Sequence, residues 1–252
     1  MNKPHLSILM YHQVGEFNNI TRLRANYCQV TRFEQQMSFL SRWGYSVISL
    51  TQAIRGLMGL EEIPSHSVVI TFDDGYENFY QYAYPILKKY GFPATVYVVA
   101  GEIGGMSDWL AEGNMPAAKL MSLEQIQNIQ EGGIEIGSHA VHHYRLTRLG
   151  NAEIKDEIES SKKILEEHLQ KSVDHICYPY GDHNEKVVEV ARSAGYISGV
   201  TTIKGSATSE HDALALPRKV ISYRDNRYRF WRTLHLKHGD TSENIIINPI
   251  LA

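Results

Sequence analysis

Two features of this chain have the residue types and spacing to do chemistry. The first is Ile70-Thr71-Phe72-Asp73-Asp74-Gly75-Tyr76-Glu77, where an apolar, β-rich run from Ser67 to Phe72 ends in two adjacent carboxylates and a glycine. Buried carboxylates are costly unless positive charge sits opposite them, and a metal ion is the simplest source of it. The plain alternative is a turn, since Asp and Gly are ordinary turn residues. The second is Ser138-His139-Ala140-Val141-His142-His143. His139 and His143 are four apart, so on a helical turn both imidazoles would lie on one face and could share a metal. The pair His139/His142 is also compatible by spacing. Two histidines and one carboxylate with an open fourth position make a catalytic zinc arrangement. The chain has 12 histidines, so ligands and acid/base groups are plentiful.

The elements that must position these residues alternate along the chain. Short apolar runs predict strands at His5–Tyr11, Ser46–Ser49, Ser67–Phe72, Ala94–Val99, Ile134–Gly137, Val173–Tyr178, Ile197–Thr201 and Lys219–Ser222. Between them lie helical patterns. Thr31 is placed to cap Arg32–Trp43, with Phe33, Met37 and Leu40 on one face. Ser122 and Gln125 form a capping-box pattern, and Gly132-Gly133 stops that helix. Asn151–Leu169 is a long charged helix with Ile154, Ile158, Ile164 and Leu165 as its buried stripe. Asn184–Ser193 and Asp225–Lys237 complete the set. Strand–helix alternation repeated about seven times implies a parallel sheet covered by helices. No glycine-rich phosphate loop follows the first strand; Tyr11-His12-Gln13-Val14-Gly15 does. A closed α/β barrel is therefore expected over an open sheet, with its site at the C-terminal strand ends. There His12, Asp73-Asp74, His139–His143 and Tyr178-Pro179-Tyr180-Gly181 would converge. Gly101–Lys119, rich in glycine, reads as a long loop over the same rim.

The bulk numbers suit one large domain spanning all 252 residues, with 43% hydrophobic and 21% charged residues. A net charge of −3 gives no reason to expect nucleic acid or an anionic membrane as partner. Cys28 and Cys177 are the two cysteines; both read as free thiols, Cys177 as a small core residue in a strand. No apolar run approaches the roughly 18 residues of a membrane span. The start, Met1-Asn2-Lys3-Pro4-His5, lacks the charged region and apolar stretch of a secretion signal, so a cytoplasmic location is the expectation.

Thr71-Phe72-Asp73-Asp74-Gly75 and Ser138-His139-Ala140-Val141-His142-His143 resemble the first two motifs of the polysaccharide deacetylases, the NodB-homology family or carbohydrate esterase family 4. Tyr178-Pro179-Tyr180-Gly181 resembles the third, and the likeness runs from Leu9-Met10-Tyr11-His12 to about Leu216-Pro217-Arg218. The resemblance implies an irregular (β/α) barrel of seven to eight strands and hydrolysis of N-acetyl groups on amino sugars with one divalent ion, Zn2+ the first expectation. By the same resemblance Asp73 is the general base, Asp74, His139 and His143 are the metal ligands, and the backbone N–H of Tyr180 helps hold the oxyanion. Both aspartates can face one site only if the chain bends between them, which Gly75 makes easy.

Three departures matter. Ala140 stands where the family usually has Ser or Thr. Ile176-Cys177-Tyr178 precede Pro179 where an Arg usually orients the base, and Arg218 is the candidate substitute. The final Leu-x-His, whose His protonates the leaving amine, is matched only by Leu236-Lys237-His238 in a polar helix. His12 is the better candidate for the acid, because Met-Tyr-His-x-Val resembles the opening of the deacetylases acting on poly-N-acetylglucosamine and related exopolysaccharides. Tyr11, Trp109, Tyr144 and Tyr180 are candidates to stack on sugar rings. The expected partner is an N-acetylated carbohydrate, in a polymer, an oligomer or a nucleotide- or lipid-linked precursor. The competing readings are hydrolysis of another non-peptide C–N bond on the same fold, and a catalytically silent carbohydrate-binding barrel.

Overall fold

A computed structural model describes residues 6–235. Its ten strands are β1 (Ser7–Tyr11), β2 (Gln13–Gly15), β3 (Tyr27–Gln29), β4 (Ser46–Val47), β5 (Ser67–Phe72), β6 (Thr95–Val98), β7 (Glu135–Ser138), β8 (His175–Cys177), β9 (Ser198–Lys204) and β10 (Leu216–Val220). The main sheet is parallel throughout, in the order β1-β10-β9-β8-β7-β6-β5-β4. β1 also pairs with β5, Ser7 opposite Val68 through Tyr11 opposite Phe72, which closes a ring of seven strands. β4 and β6 share the other edge of β5: β4 takes Ser67 and Val68, and β6 takes Thr71 and Phe72. The expected closed barrel is present, and this split edge is its irregularity. Two short strands, β2 and β3, form a separate parallel pair beside it.

The barrel has an inside and an outside core, and strand alternation assigns residues to each. Ile8, Val69, Tyr97, Cys177, Val200 and Leu216 cluster in the interior, joined by Leu50, Ala53 and Ile54 of helix α2 (Leu50–Leu57). Their neighbours Leu9, Ile70, Phe72, Val96, Val98 and Ile176 pack outward against the helices. Every residue of β5 is buried, as expected where both faces of a parallel sheet are covered. Counting on by twos from the interior positions reaches His12 from Ile8, Thr71 and Asp73 from Val69, and Arg218 from Leu216. The interior is apolar below and polar at its C-terminal end for that reason.

Helices α1 (Val30–Arg42), α3 (Tyr84–Tyr90), α4 (Leu123–Glu131), α5 (Asn151–Leu169), α6 (Glu185–Ser193) and α7 (Arg227–His235) wrap the ring with α2. The capping box at Ser122 and Gln125 forms in both directions, and Asn184 caps α6 through Val187 N–H. Thr31 does not cap α1: the helix begins at Val30 with Gln29 at the cap position and no side-chain cap bond. The last strand lies earlier than expected, at Leu216–Val220, because Pro217 sits at a position that does not end pairing with β9. Arg218 is thereby inside the barrel rather than before it. His238 lies outside the described residues, as does His5. Among the described residues no helix is long and apolar enough to cross a membrane.

Alternation also sends Lys219 outward, where it is 4% exposed and donates from Nζ to the Leu234 carbonyl at the end of α7, 3.0 Å away. Burial lowers its pKa to about 8. A lysine whose folded pKa lies below its unfolded value binds fewer protons folded, so the penalty on the charged form is full below about 8 and fades as pH rises toward 10.5. Lys219→Met should therefore stabilise the protein at pH 7 and gain less at pH 10. Urea denaturation midpoints at the two pH values check this; a gain independent of pH would mean packing, not charge burial, sets the effect.

Candidate active site

The mouth of the barrel is built around Arg218, which is 0% exposed. Its Nη1 and Nη2 each donate to one oxygen of Asp73 at 2.7 Å. Nη1 also donates to Thr71 Oγ1 at 3.0 Å, Nη2 contacts Cys177 Sγ at 3.2 Å, and Nε donates to the Thr201 carbonyl at 2.9 Å. All five guanidinium donors are thus used, and the planar fork matches the carboxylate. Burial alone would raise the Asp73 pKa, but Arg218 outweighs it and holds the carboxyl below its usual value. Asp73 stays an anion inside the protein. Arg218, the candidate for the missing motif Arg, reaches Asp73 across the barrel from β10.

Asp74 does not continue the strand. Its φ is +75°, and that of Gly75 is +73°. In an extended chain Asp74 would face the helices; two successive left-handed residues turn its carboxylate back over the barrel end. The bend therefore starts at Asp74 itself, one residue before the glycine expected to provide it. Asp74 Oδ1 lies 3.2 Å from Nε2 of His139 and 3.2 Å from Nε2 of His143. His139 Nδ1 lies 2.6 Å from the Cys177 carbonyl, which accepts from it and leaves Nε2 facing Asp74. Burial would lower the His139 pKa, but Cys177 and Asp74 take it well above its usual value, so without a cation Nε2 carries a proton that a metal ion would replace.

Residues 139–143 are not a helical turn. Ala140 and His143 both have φ near +60°, and the segment is a loop. His142 turns away, with Nδ1 2.6 Å from Glu157 Oε1, which leaves His143 as the partner of His139. Glu157 is a buried carboxylate on α5, and its Oε2 accepts from Val141 N–H at 3.0 Å and His142 N–H at 2.9 Å. Ser138 Oγ accepts from Ala140 N–H at 3.2 Å and is 2.7 Å from Ser161 Oγ. These groups brace the loop where Ala140 provides no hydroxyl. Glu157 belongs to none of the motifs, although its position carries a signal. With Ile154, Ile158 and Ser161 it lies on the buried stripe of α5, where a carboxylate needs a partner.

Asp74, His139 and His143 are all buried and offer one oxygen and two nitrogens within 4.8 Å of one another. Oδ1 of Asp74 has no hydrogen-bond partner of good geometry among the described residues, although it is buried. Once both Nε2 atoms give up their protons, the three are acceptors facing one point, which suits a cation. Bonds of 2.0–2.1 Å in a tetrahedron would set its ligand atoms about 3.3 Å apart, close to the two 3.2 Å separations here. Burial would raise the Asp74 pKa, but His139 and His143 take it well below the usual carboxylate range, so it too is an anion. For His143 burial wins over Asp74 and the pKa is lowered, which favours the neutral ligand form. Asp73, His139 and Cys177 form a second possible group, but Arg218 already holds both Asp73 and Cys177, and its charge opposes a cation there.

His12 stands beside this centre at the end of β1, Nε2 3.9 Å from Asp73 Oδ2. Tyr180 has φ of +61°, and its ring meets that of His143 edge to face at 4.5 Å. Trp109, from the loop over the rim, stacks on His143 at 4.3 Å. Tyr144 is exposed but stacks on His142, away from Asp74. Tyr11 is not available to a sugar: it is buried in the outer core between Phe33 and Phe72, and its hydroxyl donates to Gln36 Oε1. Cys28 and Cys177 are both free and buried.

The sequence profile described as polysaccharide deacetylase matches residues 61–198, more than half of the chain. The chain belongs to the polysaccharide deacetylase family. It is 32% identical over 217 residues to YxkH of Bacillus subtilis (strain 168), which bears a provisional polysaccharide-deacetylase name; the match covers 86% of this chain and 71% of YxkH. It is 28% identical over 201 residues to the poly-β-1,6-N-acetyl-D-glucosamine N-deacetylase of Staphylococcus aureus, covering 76% of this chain and 67% of that protein. Among solved structures, the Streptococcus pyogenes deacetylase PplD in complex with acetate superposes with a TM-score of 0.81 at 28% identity, over 93% of this chain and all of PplD. IcaB from Ammonifex degensii, at 23% identity and a TM-score of 0.76, shares the fold over 91% of this chain and 95% of its own.

If Glu157 holds the His143 loop as its bonds imply, Glu157→Ala should weaken any affinity of the chain for an added divalent ion by about 10- to 100-fold, as loss of outer-shell support typically does. Competition with a chromophoric chelator measures this. Unchanged affinity would show that the loop keeps its shape without the carboxylate.

Proposed function

We propose that this polysaccharide deacetylase family member is a metal-dependent hydrolase that removes N-acetyl groups from amino sugars. One observation carries the reading: the oxygen and two nitrogens of Asp74, His139 and His143 converge beside a second carboxylate, Asp73, that Arg218 keeps ionised. A turn or a sugar-binding surface has no need of a buried base next to a ligand set. The Staphylococcus aureus relative acts, by its name, on poly-β-1,6-N-acetylglucosamine, which supports an N-acetylhexosamine substrate.

A divalent ion held by Asp74, His139 and His143, Zn2+ by donor type, would supply Lewis acidity to an acetyl carbonyl and to water. Asp73 takes the proton from the attacking water. Arg218 fixes that carboxylate in one orientation by its paired 2.7 Å bonds and keeps it charged until the proton arrives. The backbone N–H of Tyr180 helps hold the negative oxygen that develops as water adds to the carbonyl. When the C–N bond breaks, the leaving nitrogen needs a proton, and His12 is the donor. Acetate and a free amino sugar result. Trp109 and Tyr180 flank His143 and limit water around the reacting group.

Elemental analysis and acetate release test this together. Wild type is expected to carry about one zinc-like ion per chain, the stoichiometry of a single catalytic site, and to release acetate from N-acetylglucosamine oligomers. Asp74→Ala should lose both. Asp73→Asn, which keeps the side-chain volume but leaves Arg218 one acceptor instead of two, should retain the ion while kcat falls by about 10²- to 10⁴-fold, the usual weight of a general base. A wild type that stays metal-free after zinc is added would overturn the reading, and so would an Asp73→Asn variant of full activity.

A further inference from the structure

Beside the centre lies a hollow of about 290 Å3 lined by His143, Tyr144, Arg145, Arg148, Leu149 and Tyr180. His143 and Tyr180 belong to both the hollow and the centre, so a group bound in the hollow sits against a proposed metal ligand. Its size is near the lower end of small-molecule sites, about 300 to 1,000 Å3. Two of its six lining residues are arginines, on a chain of net charge −3.

The local fold makes these arginines a pair. Leu146–Arg148 is a 3₁₀ turn, and Arg148 N–H donates to the Arg145 carbonyl at 3.0 Å. Arg145 caps this turn and Arg148 is its last residue, and both line the same hollow. Leu146 anchors the turn from below and is fully buried. The Arg145 guanidinium lies 4.1 Å over the Tyr180 ring, which fixes its plane while leaving its edge to hydrogen-bond. Among the described residues neither arginine has a carboxylate within 4.0 Å, in contrast to Arg55, Arg192 and Arg218. The near acid, Asp182, is occupied by Thr147, whose N–H and hydroxyl both donate to it at 2.8 to 2.9 Å.

Two guanidiniums lining one hollow, neither with a carboxylate partner among the described residues, can together grip an oxyanion. We propose that this hollow is a subsite for a phosphate ester on the N-acetylated sugar, so that the enzyme prefers a phosphate-bearing N-acetylhexosamine over a neutral one. This specificity rests on the deacetylase reading above. The phosphate could belong to a sugar phosphate within a glycan or to the diphosphate of a nucleotide-linked sugar, and the same arginines would serve either.

The test compares three substrates on the zinc-loaded protein: a neutral N-acetylglucosamine disaccharide, the same disaccharide carrying a 1-phosphate, and uridine diphosphate N-acetylglucosamine. Acetate release is expected to favour the disaccharide phosphate over the neutral sugar by about 10- to 100-fold in kcat/KM, the worth of one or two charge-assisted hydrogen bonds. The preference should shrink with added salt. Arg145→Gln/Arg148→Gln should abolish it, and Arg148→Gln alone should reduce it while leaving turnover of the neutral sugar unchanged. Preference for the uridine compound over the disaccharide phosphate would assign the phosphate to a nucleotide, and the reverse to a glycan. Equal turnover of neutral and phosphorylated sugars by wild type, or a preference that survives the double substitution, would overturn the proposal. Calorimetric binding of the disaccharide phosphate decides the subsite without turnover: binding lost in the double variant sustains it even if no acetate is released, an outcome that would strike only the deacetylase reading. Binding no tighter than that of the neutral disaccharide would overturn it.

Discussion

Everything at the mouth of this barrel depends on a charge that should not be there. An arginine with no exposed surface and a buried aspartate face each other across strands β10 and β5. Each alone inside the protein would be severely destabilising; removal of one partner from such a pair typically costs about 3–5 kcal/mol. Together they are tolerable because the guanidinium finds five acceptors and the carboxylate two donors. The pair also fixes Thr71, whose hydroxyl accepts from Arg218 and donates to the Leu9 carbonyl. Strands β1, β5 and β10 are thereby tied at the level where the chemistry is proposed to happen.

A second constraint is the backbone. Asp74, Ala140, His143 and Tyr180 all have positive φ, a region that side chains other than Asn, Asp and Gly seldom adopt. Such residues persist only where the surroundings over-determine them. Here the surroundings are visible: Glu157 and Ser138 take the amide hydrogens of the His139–His143 loop, and Met121 N–H donates to the Gly75 carbonyl. Left-handed residues let consecutive side chains meet on one side, which neither a strand nor a helix allows. That is how four donor groups from two short segments are brought into one small volume.

This also explains what could be read from the chain and what could not. Strand–helix alternation, the lack of a glycine-rich loop after the first strand and abrupt strand ends are enough to predict a closed barrel with His12, Asp73 and Tyr180 at one rim. Capping chemistry is enough at Ser122, and α5 follows from its apolar stripe. The helical turn expected at His139–His143 failed because spacing alone cannot distinguish a helix from a loop of left-handed residues; Ala, His and Tyr give no warning of positive φ. Arg218 was found as a candidate, but its depth followed only from the pairing of β10 with β9 and β1. Glu157 was legible in principle, as a carboxylate on an apolar stripe. Tyr11 was misjudged because an aromatic at a strand end can face either layer.

The contacts of Arg218 join positions far apart in the chain: 145 residues separate it from Asp73 and 147 from Thr71. The consequence is one of timing. During synthesis Asp73, Asp74 and both histidines emerge well before the strand that carries their counter-charge. Until β10 slots between β9 and β1, the ring is open and Asp73 has no reason to remain dry. A ribosome-bound chain lacking its last strand therefore holds every proposed ligand and the proposed base, yet no finished site. Competence arrives in a single late step, when the barrel shuts.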